Sequence, residues 1–128
     1  MAIDRIFVSA GPGETRVALC DGEHLAELIV ERDGDDPRVG DIYLGRVEKV
    51  MGGLGAAFVD IGAQRSGFLP LPADDDAFPS PNEGDAVLVQ IVQEPFEDKG
   101  AKLTSRPALA GRFLVYTPED AEIRISRR

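Results

Sequence analysis

Short segments in which apolar and polar residues alternate run along most of the chain, separated by turns. In the segment 85–94, every second residue from Val87 to Ile91 is apolar and falls on one face of an extended backbone, which is the period-two pattern of a strand. Similar strands are predicted at DIYLGRVEKVM, GAAFVDIG and RSGFLP, with further candidates in KGAKLTS and ALAGRFLVYTP and a short alternation in EIRIS. No segment has the pattern of a long amphipathic helix, so the sequence predicts an essentially all-β protein.

The front of the chain predicts a hairpin. Residues 3–10 and 15–20 have strand-like composition, and Asp21-Gly22 between VALC and EHLAELIV is a favoured two-residue turn. HLAELIVE would also suit a short helical turn, but the chain must return against VALC, which favours a strand. Two loops follow, at 32–41 and at 70–84, because both are rich in proline, glycine and acidic residues.

Glycines fall within the central strand candidates, at Gly45, Gly55 and Gly67. Glycine in a strand permits the sharp coiling that a closed sheet requires. Four to five short strands with such glycines therefore predict a small closed barrel.

The segment GAAFVDIGAQRSGFLP contains two phenylalanines that the alternation places away from the core. An apolar residue at every second position from Ala57 to Ile61 sends Phe58 to the opposite face. If the turn at 62–64 pairs Ile61 with the residue at 65, Phe58 lies opposite Phe68 on the next strand. The spacing thus predicts an outward pair of rings.

A pair of exposed rings on a small barrel suits single-stranded nucleic acid, because each base stacked on an aromatic ring contributes ~1 to 3 kcal/mol. The alternative is that inside and outside are exchanged and both rings belong to the core, since phenylalanine is usually buried and a bulge reverses the parity. Tyr43, in the first barrel strand, is a third candidate ring, although for it a place in the core is favoured.

The net negative charge of the chain disfavours binding of a nucleic acid. The formal net charge is −9 and the isoelectric point is near 4.5, whereas a nucleic-acid binder is usually basic. The charge is uneven, however: residues 1–36 contain nine acidic and three basic residues, and residues 96–128 contain five acidic and seven basic ones. This asymmetry allows a basic patch on an acidic body, and an ordinary solvated surface would produce it as well.

Several kinds of chemistry find no support. Cys20 and His24 are each the only residue of their type, too few for a disulfide or a four-ligand zinc site. The run Asp74 to Asp76 is best explained as a solvated acidic turn. No apolar run approaches the ~20 residues that cross a bilayer, and the start lacks a secretion signal, so we expect a cytoplasmic protein with no membrane partner.

The run GRVEKVMGGLGAAFVDIGAQRSGFLPL, residues 45–71, resembles the first three strands of an S1 domain. With DIYLGRV, KGAKLT, LAGRFLVYTP, the front end RVALCDGEHLAELIVE and the final ISRR, the whole chain resembles the amino-terminal region of the RNase E/G endoribonucleases. The resemblance implies a mainly β fold in which a five-stranded S1 barrel, an OB fold, is inserted in a partial RNase H-like domain made of the front hairpin and the C-terminal strands. The implied domains are 1–36 and 107–128 for the RNase H-like part and 37–106 for the S1 domain.

The same resemblance implies site residues. Phe58 and Phe68 match two RNA-contacting phenylalanines of the family, and Lys99 matches a basic residue beside them. Arg65 and Lys102 are weaker candidates for the same phosphate contact, and Tyr43 remains the candidate third ring. Without the resemblance, Lys99 would be interpreted as a solvated loop lysine, and Arg46 and Lys49 are equally well explained as ordinary outward strand residues.

The family cuts RNA with magnesium held by carboxylates of a later domain, and it dimerises about zinc held by a later cysteine pair. Neither feature falls within this sequence, so we expect no cofactor here and no cleavage by this chain alone. The implied function is capture of single-stranded RNA for a catalytic centre in the remainder of the ribonuclease chain, and unpaired strand edges are expected to allow homo-oligomers. The alternative is a self-standing, non-catalytic S1-like module that binds a protein partner, which the acidic charge favours slightly.

Overall fold

The computed structural model describes residues 2–72 and 80–125. The chain divides into two compact units, Met1–Asp36 and Pro37–Arg128. The acidic run Asp74 to Asp76, expected to form a solvated turn, lies outside the described residues.

The first unit is a three-stranded antiparallel sheet in the order β1-β2-β3. Its strands are β1 (Arg5–Gly11), β2 (Glu14–Asp21) and β3 (His24–Arg32). The hairpin predicted for the front of the chain is confirmed, and HLAELIVE is a strand rather than a helical turn. The loop lies one residue later than expected, at 22–23, because Asp21 still pairs with His24. Gly22 has a φ of 60°, which glycine adopts without a steric penalty.

The second unit contains a closed five-stranded barrel in the order β4-β5-β6-β8-β7. Its strands are β4 (Ile42–Met51), β5 (Ala56–Asp60), β6 (Gly67–Pro70), β7 (Ala86–Gln93) and β8 (Lys102–Thr104). Neighbouring strands are antiparallel except β6 and β8, which run parallel. The predicted mainly β fold with a five-stranded barrel is therefore confirmed, and its strand number and closure are consistent with an OB fold.

The interior of the barrel is filled by small and branched apolar side chains that alternate along the strands. These buried residues are Val47, Ala57, Val59, Ile61, Leu69, Val89, Ile91, Ala101 and Leu103. In β7, Val87 packs against this core beside the buried Val89 and Ile91, as the alternation in 85–94 predicts. Leu88 and Val92, on the other face, are exposed.

Two of the three glycines predicted to lie in strands do so. A β-carbon on Gly67 would lie 2.4 Å from Leu103 Cδ1, and one on Gly45 would lie 2.4 Å from Val59 Cγ1. Both positions therefore require glycine where the barrel wall curves over its core. Gly55 instead follows a short 3-10 helix, Gly52–Leu54, and takes a left-handed conformation with a φ of 58°, so that prediction was wrong.

Closure of the barrel depends on a close approach between β6 and the segment that leads into β8. A β-carbon on Gly100 would lie 1.9 Å from the carbonyl oxygen of Ser66. Just beyond this contact, the backbone N–H of Phe68 donates to the carbonyl of Ala101 over 2.8 Å. The parallel pairing that closes the barrel is thus possible only because residue 100 has no side chain.

The segment after the barrel differs from the sequence prediction. ALAGRFLVYTP forms a hairpin of two short strands, β9 (Leu109–Ala110) and β10 (Val115–Tyr116), rather than one strand. The alternation in EIRIS is not a strand over residues 121–125, and Ser126 lies outside the described residues. In the described part of the chain no strand pairs with residues 121–125, and Ile123 is 98% exposed, so neither backbone pairing nor side-chain burial supports a strand there.

Across 2–72 and 80–125, the structure has no helix long and apolar enough to traverse a bilayer.

We predict that Gly100→Ala lowers the free energy of unfolding by about 1 to 3 kcal/mol or more, because its methyl group meets a backbone carbonyl that has no freedom to move away. Urea unfolding followed by circular dichroism measures this. Gly53→Ala is the matched control, since a β-carbon at that position has nothing within 4 Å. Equal stability of the two variants would show that the contact between β6 and the residue before β8 does not limit closure.

Candidate nucleic-acid interface

The two phenylalanines singled out by the sequence lie side by side on neighbouring strands. Phe58 of β5 is the direct cross-strand partner of Phe68 of β6, as the predicted register requires. Their ring centroids are 6.0 Å apart and the ring planes make an angle of 70°, an edge-to-face arrangement. Both side chains are half-buried and neither belongs to the hydrophobic core. The alternative in which both rings fill the interior is not what the structure shows.

Strand alternation explains why the rings face outward. Ala57 and Val59 flank Phe58 along β5, and both are fully buried. In β6, the buried Leu69 likewise follows Phe68. Because successive side chains of a strand point to opposite faces, burying these neighbours forces both rings to the outer surface of the barrel.

Two lysines flank the ring pair in the same cross-strand row. Lys49 of β4 pairs with Phe58, and Lys102 of β8 pairs with Phe68. Both lysines are exposed, and cross-strand partners share a face of the sheet. The outer surface therefore carries a row of four side chains, which we call the ring row: Lys49, Phe58, Phe68 and Lys102.

Lys49 reaches this row because of a β-bulge. Val47 pairs with Val59, but the next pair is Lys49 with Phe58. Glu48 is therefore an extra residue of β4 with no partner of its own on β5. Strict alternation from the buried Val47 would point Lys49 inward, and the bulge turns it outward instead. The sequence signal for this is weak: Glu48 and Lys49 are two consecutive charged residues within an otherwise alternating strand.

Lys99 lies in the turn between β7 and β8, which Arg65 contacts from the loop between β5 and β6. Phe96 and Lys99 form a pair of backbone hydrogen bonds of 2.9 and 3.1 Å, and Lys99 is exposed at the end of this turn. The Arg65 guanidinium donates to the Glu97 carbonyl over 2.6 Å and to the Asp98 carboxylate over 3.2 Å. Arg65 thus holds the turn that presents Lys99, and its charge is partly offset by Asp98.

The same turn explains why Arg65 is needed there. Glu97 has a φ of 50°, a left-handed conformation that is uncommon for a residue with a side chain. Its carbonyl oxygen is the one that accepts the hydrogen bond from Arg65. We therefore interpret Arg65 as a residue that stabilises the turn between β7 and β8.

Tyr43 lies apart from the two phenylalanines. It pairs across β4 and β7 with the buried Val89 and packs against the core, so it faces the interior side of the barrel wall. Its hydroxyl lies 3.5 Å from an Asp41 carboxylate oxygen. Burial, followed by the Asp41 charge and that hydrogen bond, raises the pKa of Tyr43. The Tyr43 ring is therefore half-buried and packs against the core of the barrel.

Acidic groups lie on one side of the rings. Asp60, two residues after Phe58 in β5, accepts a hydrogen bond from the backbone N–H of Gly62 over 2.8 Å. The Glu48 carboxylate accepts a hydrogen bond from the Ser66 hydroxyl, reaching from β4 to the start of β6. Negative charge is therefore concentrated further along β5, on the Asp60 side of Phe58. The two lysines of the ring row lie instead on β4 and β8, the strands on either side of β5 and β6.

Among residues 2–72 and 80–125, no three His, Cys, Asp or Glu side chains come together in a way that could hold a metal ion. The resemblance implies the magnesium and the zinc of the parent family on later segments of that family, and we derive no step through either metal.

Comparison with known proteins shows which family this barrel belongs to. No family model matches the sequence. Ribonuclease G of Escherichia coli is 36% identical to it over 140 aligned positions that include 96% of this chain. Ribonuclease E of the same organism is 42% identical over 130 positions and 90% of the chain, and ribonuclease G of Haemophilus influenzae is 34% identical over 96% of it. The chain belongs to the ribonuclease E/G family.

The chain covers only a minor part of the length of these relatives. The chain spans 29% of the length of the Escherichia coli ribonuclease G and 12% of that of ribonuclease E. It is therefore a ribonuclease-related region that corresponds to a minor part of these relatives. The family resemblance expected from the sequence motifs is confirmed.

We predict that Phe58 and Phe68 stabilise each other. In a double-mutant cycle of Phe58→Ala and Phe68→Ala, the coupling in the free energy of unfolding should be about 0.5 to 1.5 kcal/mol, as expected for an edge-to-face pair. Urea unfolding of the four proteins measures it. A coupling of zero would mean that the rings do not interact in solution.

We predict that Tyr43 ionises above the ordinary tyrosine pKa of 10.0. Asp41→Asn should lower that pKa without restoring the ordinary value, because burial is the larger cause. Absorbance titration in a Tyr116→Phe background, where Tyr43 is the remaining tyrosine, measures it. Because the folded-state pKa is raised, the stability contributed by the neutral phenol is complete below pH 10.0 and is lost as the pH rises through the folded-state pKa. An ordinary pKa would contradict the burial of Tyr43.

Proposed function

We propose that this barrel is an S1-type module that binds single-stranded RNA and captures it for a catalytic centre elsewhere in a ribonuclease. The observation that carries the proposal is the outward pair formed by Phe58 and Phe68 in a chain of the ribonuclease E/G family. Aromatic rings on the outer wall of an OB-type barrel are the common platform for single-stranded nucleic acid.

The geometry of the pair favours a single strand over a duplex. The ring centroids are 6.0 Å apart and the planes differ by 70°, whereas bases in a regular helix follow each other at about 3.4 Å with parallel planes. Bases that stack on these two rings must therefore be separated and turned relative to one another. A strand without a pairing partner accommodates this at lower cost than a duplex does.

The electrostatics favour weak, salt-sensitive binding. The chain has a formal net charge of −9, so a polyanion is repelled at long range. Exposed cations near the rings, at Lys49, Lys99 and Lys102, provide local attraction to phosphates. Two stacking rings and a few lysines leave little net free energy after the cost of association. We therefore expect the isolated barrel to depend on the remainder of the ribonuclease for tight binding.

The partners in this proposal are RNA and the remainder of the ribonuclease chain. Cleavage, and the magnesium and zinc of the parent family, belong to that remainder. The ranges 1–36 and 107–128 are proposed to be parts of an RNase H-like domain into which the S1 domain at 37–106 is inserted. A cytoplasmic location and self-association remain predictions from the sequence.

We predict that Phe58→Ala and Phe68→Ala each weaken binding of a short single-stranded RNA by ~1 to 3 kcal/mol, since each removes a stacking surface. Fluorescence anisotropy with a labelled RNA at low salt measures this. Tyr116→Leu is the matched control, because it removes an exposed ring of the β9–β10 hairpin while keeping an apolar side chain, and it should leave RNA affinity unchanged.

Two results would contradict this proposal. One is equal RNA affinity of the wild-type protein and the double variant Phe58→Ala/Phe68→Ala, and the other is no RNA binding by the wild type even at high protein concentration. Either result would favour the alternative in which the module binds a protein. The double variant must first be shown to remain folded by its unfolding curve.

A further inference from the structure

We propose that RNA crosses the barrel at right angles to β5 and β6, along the ring row, with Lys49 contacting a phosphate on one side of the two stacked bases and Lys102 contacting a phosphate on the other. This inference rests on the proposed RNA-binding function and deepens it. It assigns a binding role to Lys49, which the sequence explains equally well as an ordinary surface residue.

The first support is the register across four adjacent strands. Lys49 pairs with Phe58, Phe58 with Phe68, and Phe68 with Lys102. Adjacent strands are about 4.8 Å apart, so the row from Lys49 to Lys102 runs three steps, or about 14 Å measured along the curved wall of the closed barrel. The two rings occupy the middle of this span and the two cations occupy its ends. A strand laid along the row therefore meets a cation, two stacking surfaces and a second cation in that order.

The second support is that the lysines have no competing partner. Across residues 2–72 and 80–125, no ion pair or side-chain hydrogen bond involves Lys49 or Lys102. Arg65, in contrast, is engaged with Glu97 and Asp98. A lysine whose ammonium group is bound only by water can neutralise a phosphate and release a condensed counterion without first breaking an ion pair.

The third support is the charge along the other direction. A phosphate displaced from Phe58 along β5 towards the end of that strand would meet Asp60, and beside it the Glu48 carboxylate bound to Ser66. Arg46 pairs with Asp60 in that row, but its guanidinium donates to the Gly84 carbonyl over 2.8 Å and is directed towards the turn before β7. A path along the strands in this direction is therefore opposed by two carboxylates.

In the opposite direction along the strands, the next cross-strand pair on this face has no cation. Beyond Phe58 and Phe68, the next residues on the same face are Ala56 and Pro70. Ala56 is 1% exposed, and neither side chain has a charge or a hydrogen-bond donor. Of these paths, the one across the strands lets an RNA strand stack on both rings and place phosphates beside both lysines.

The test compares Lys49→Gln, Lys102→Gln and the double variant with the wild-type chain in RNA titrations at several salt concentrations. Each substitution should weaken binding several-fold and reduce the slope of log K against log salt by about 0.7, the value for one phosphate contact on a single strand. Lys49→Arg should restore the slope. Arg112→Gln is the matched control, because it removes one positive charge outside the ring row.

A second ligand separates phosphate contacts from indirect effects. With the same bases on an uncharged backbone, the lysine variants should bind as the wild type does, whereas Phe58→Ala should still lose affinity. The inference fails if Lys49→Gln behaves like Arg112→Gln while the phenylalanine variants lose RNA binding, a result that leaves the proposed function intact. If the phenylalanine variants bind RNA as well as the wild type, the proposed function itself fails.

Discussion

The register between β5 and β6 is the constraint on which the outer surface depends. Phe58 faces Phe68 because Ala57, Val59 and Leu69 are buried in the barrel, and a slip of one residue would exchange the two faces. Burial of the small apolar stripe thus determines where the rings lie. Burial of apolar side chains in the interior thereby determines which side chains lie on the solvent-facing wall of the barrel, although that wall is not part of the core.

Closure of the barrel extends that surface beyond the two central strands. The parallel contact of β6 with β8, made where Gly100 passes the Ser66 carbonyl, brings Lys102 beside Phe68. The bulge in β4 brings Lys49 beside Phe58 from the other side. Two backbone features, the close approach at Gly100 and the bulge in β4, therefore place a lysine on each side of the ring pair. Strand alternation alone would not place Lys49 there.

Carboxylates and lysines are held in different places on the outer surface of the barrel. In this barrel, the carboxylates of Glu48 and Asp60 are held by Ser66 and by the Gly62 backbone, while the lysines of the ring row have no acidic partner in the described part of the chain. The lysines of the ring row would therefore attract a polyanion locally, whereas the net negative charge of the whole chain would repel it. If the barrel binds RNA as we propose, this arrangement would favour weak capture at a defined orientation over tight, non-specific binding.

Local alternation in the sequence was sufficient to predict the β class and the strand at 85–94, because a strand has a fixed period of two. Together with the turns at Asp21-Gly22 and at 62–64, it also predicted the front hairpin and the register of Phe58 with Phe68. The EIRIS alternation and Gly55 show the limit of local patterns: a strand also needs a partner, and a glycine in a strand-like segment can instead end a helical turn. Only the tertiary structure decided that Tyr43 faces the core, that Arg65 supports a turn and that Lys49 joins the rings. Those outcomes depend on pairing between distant segments, on a bulge and on backbone contacts, none of which leaves a periodic signal in the chain.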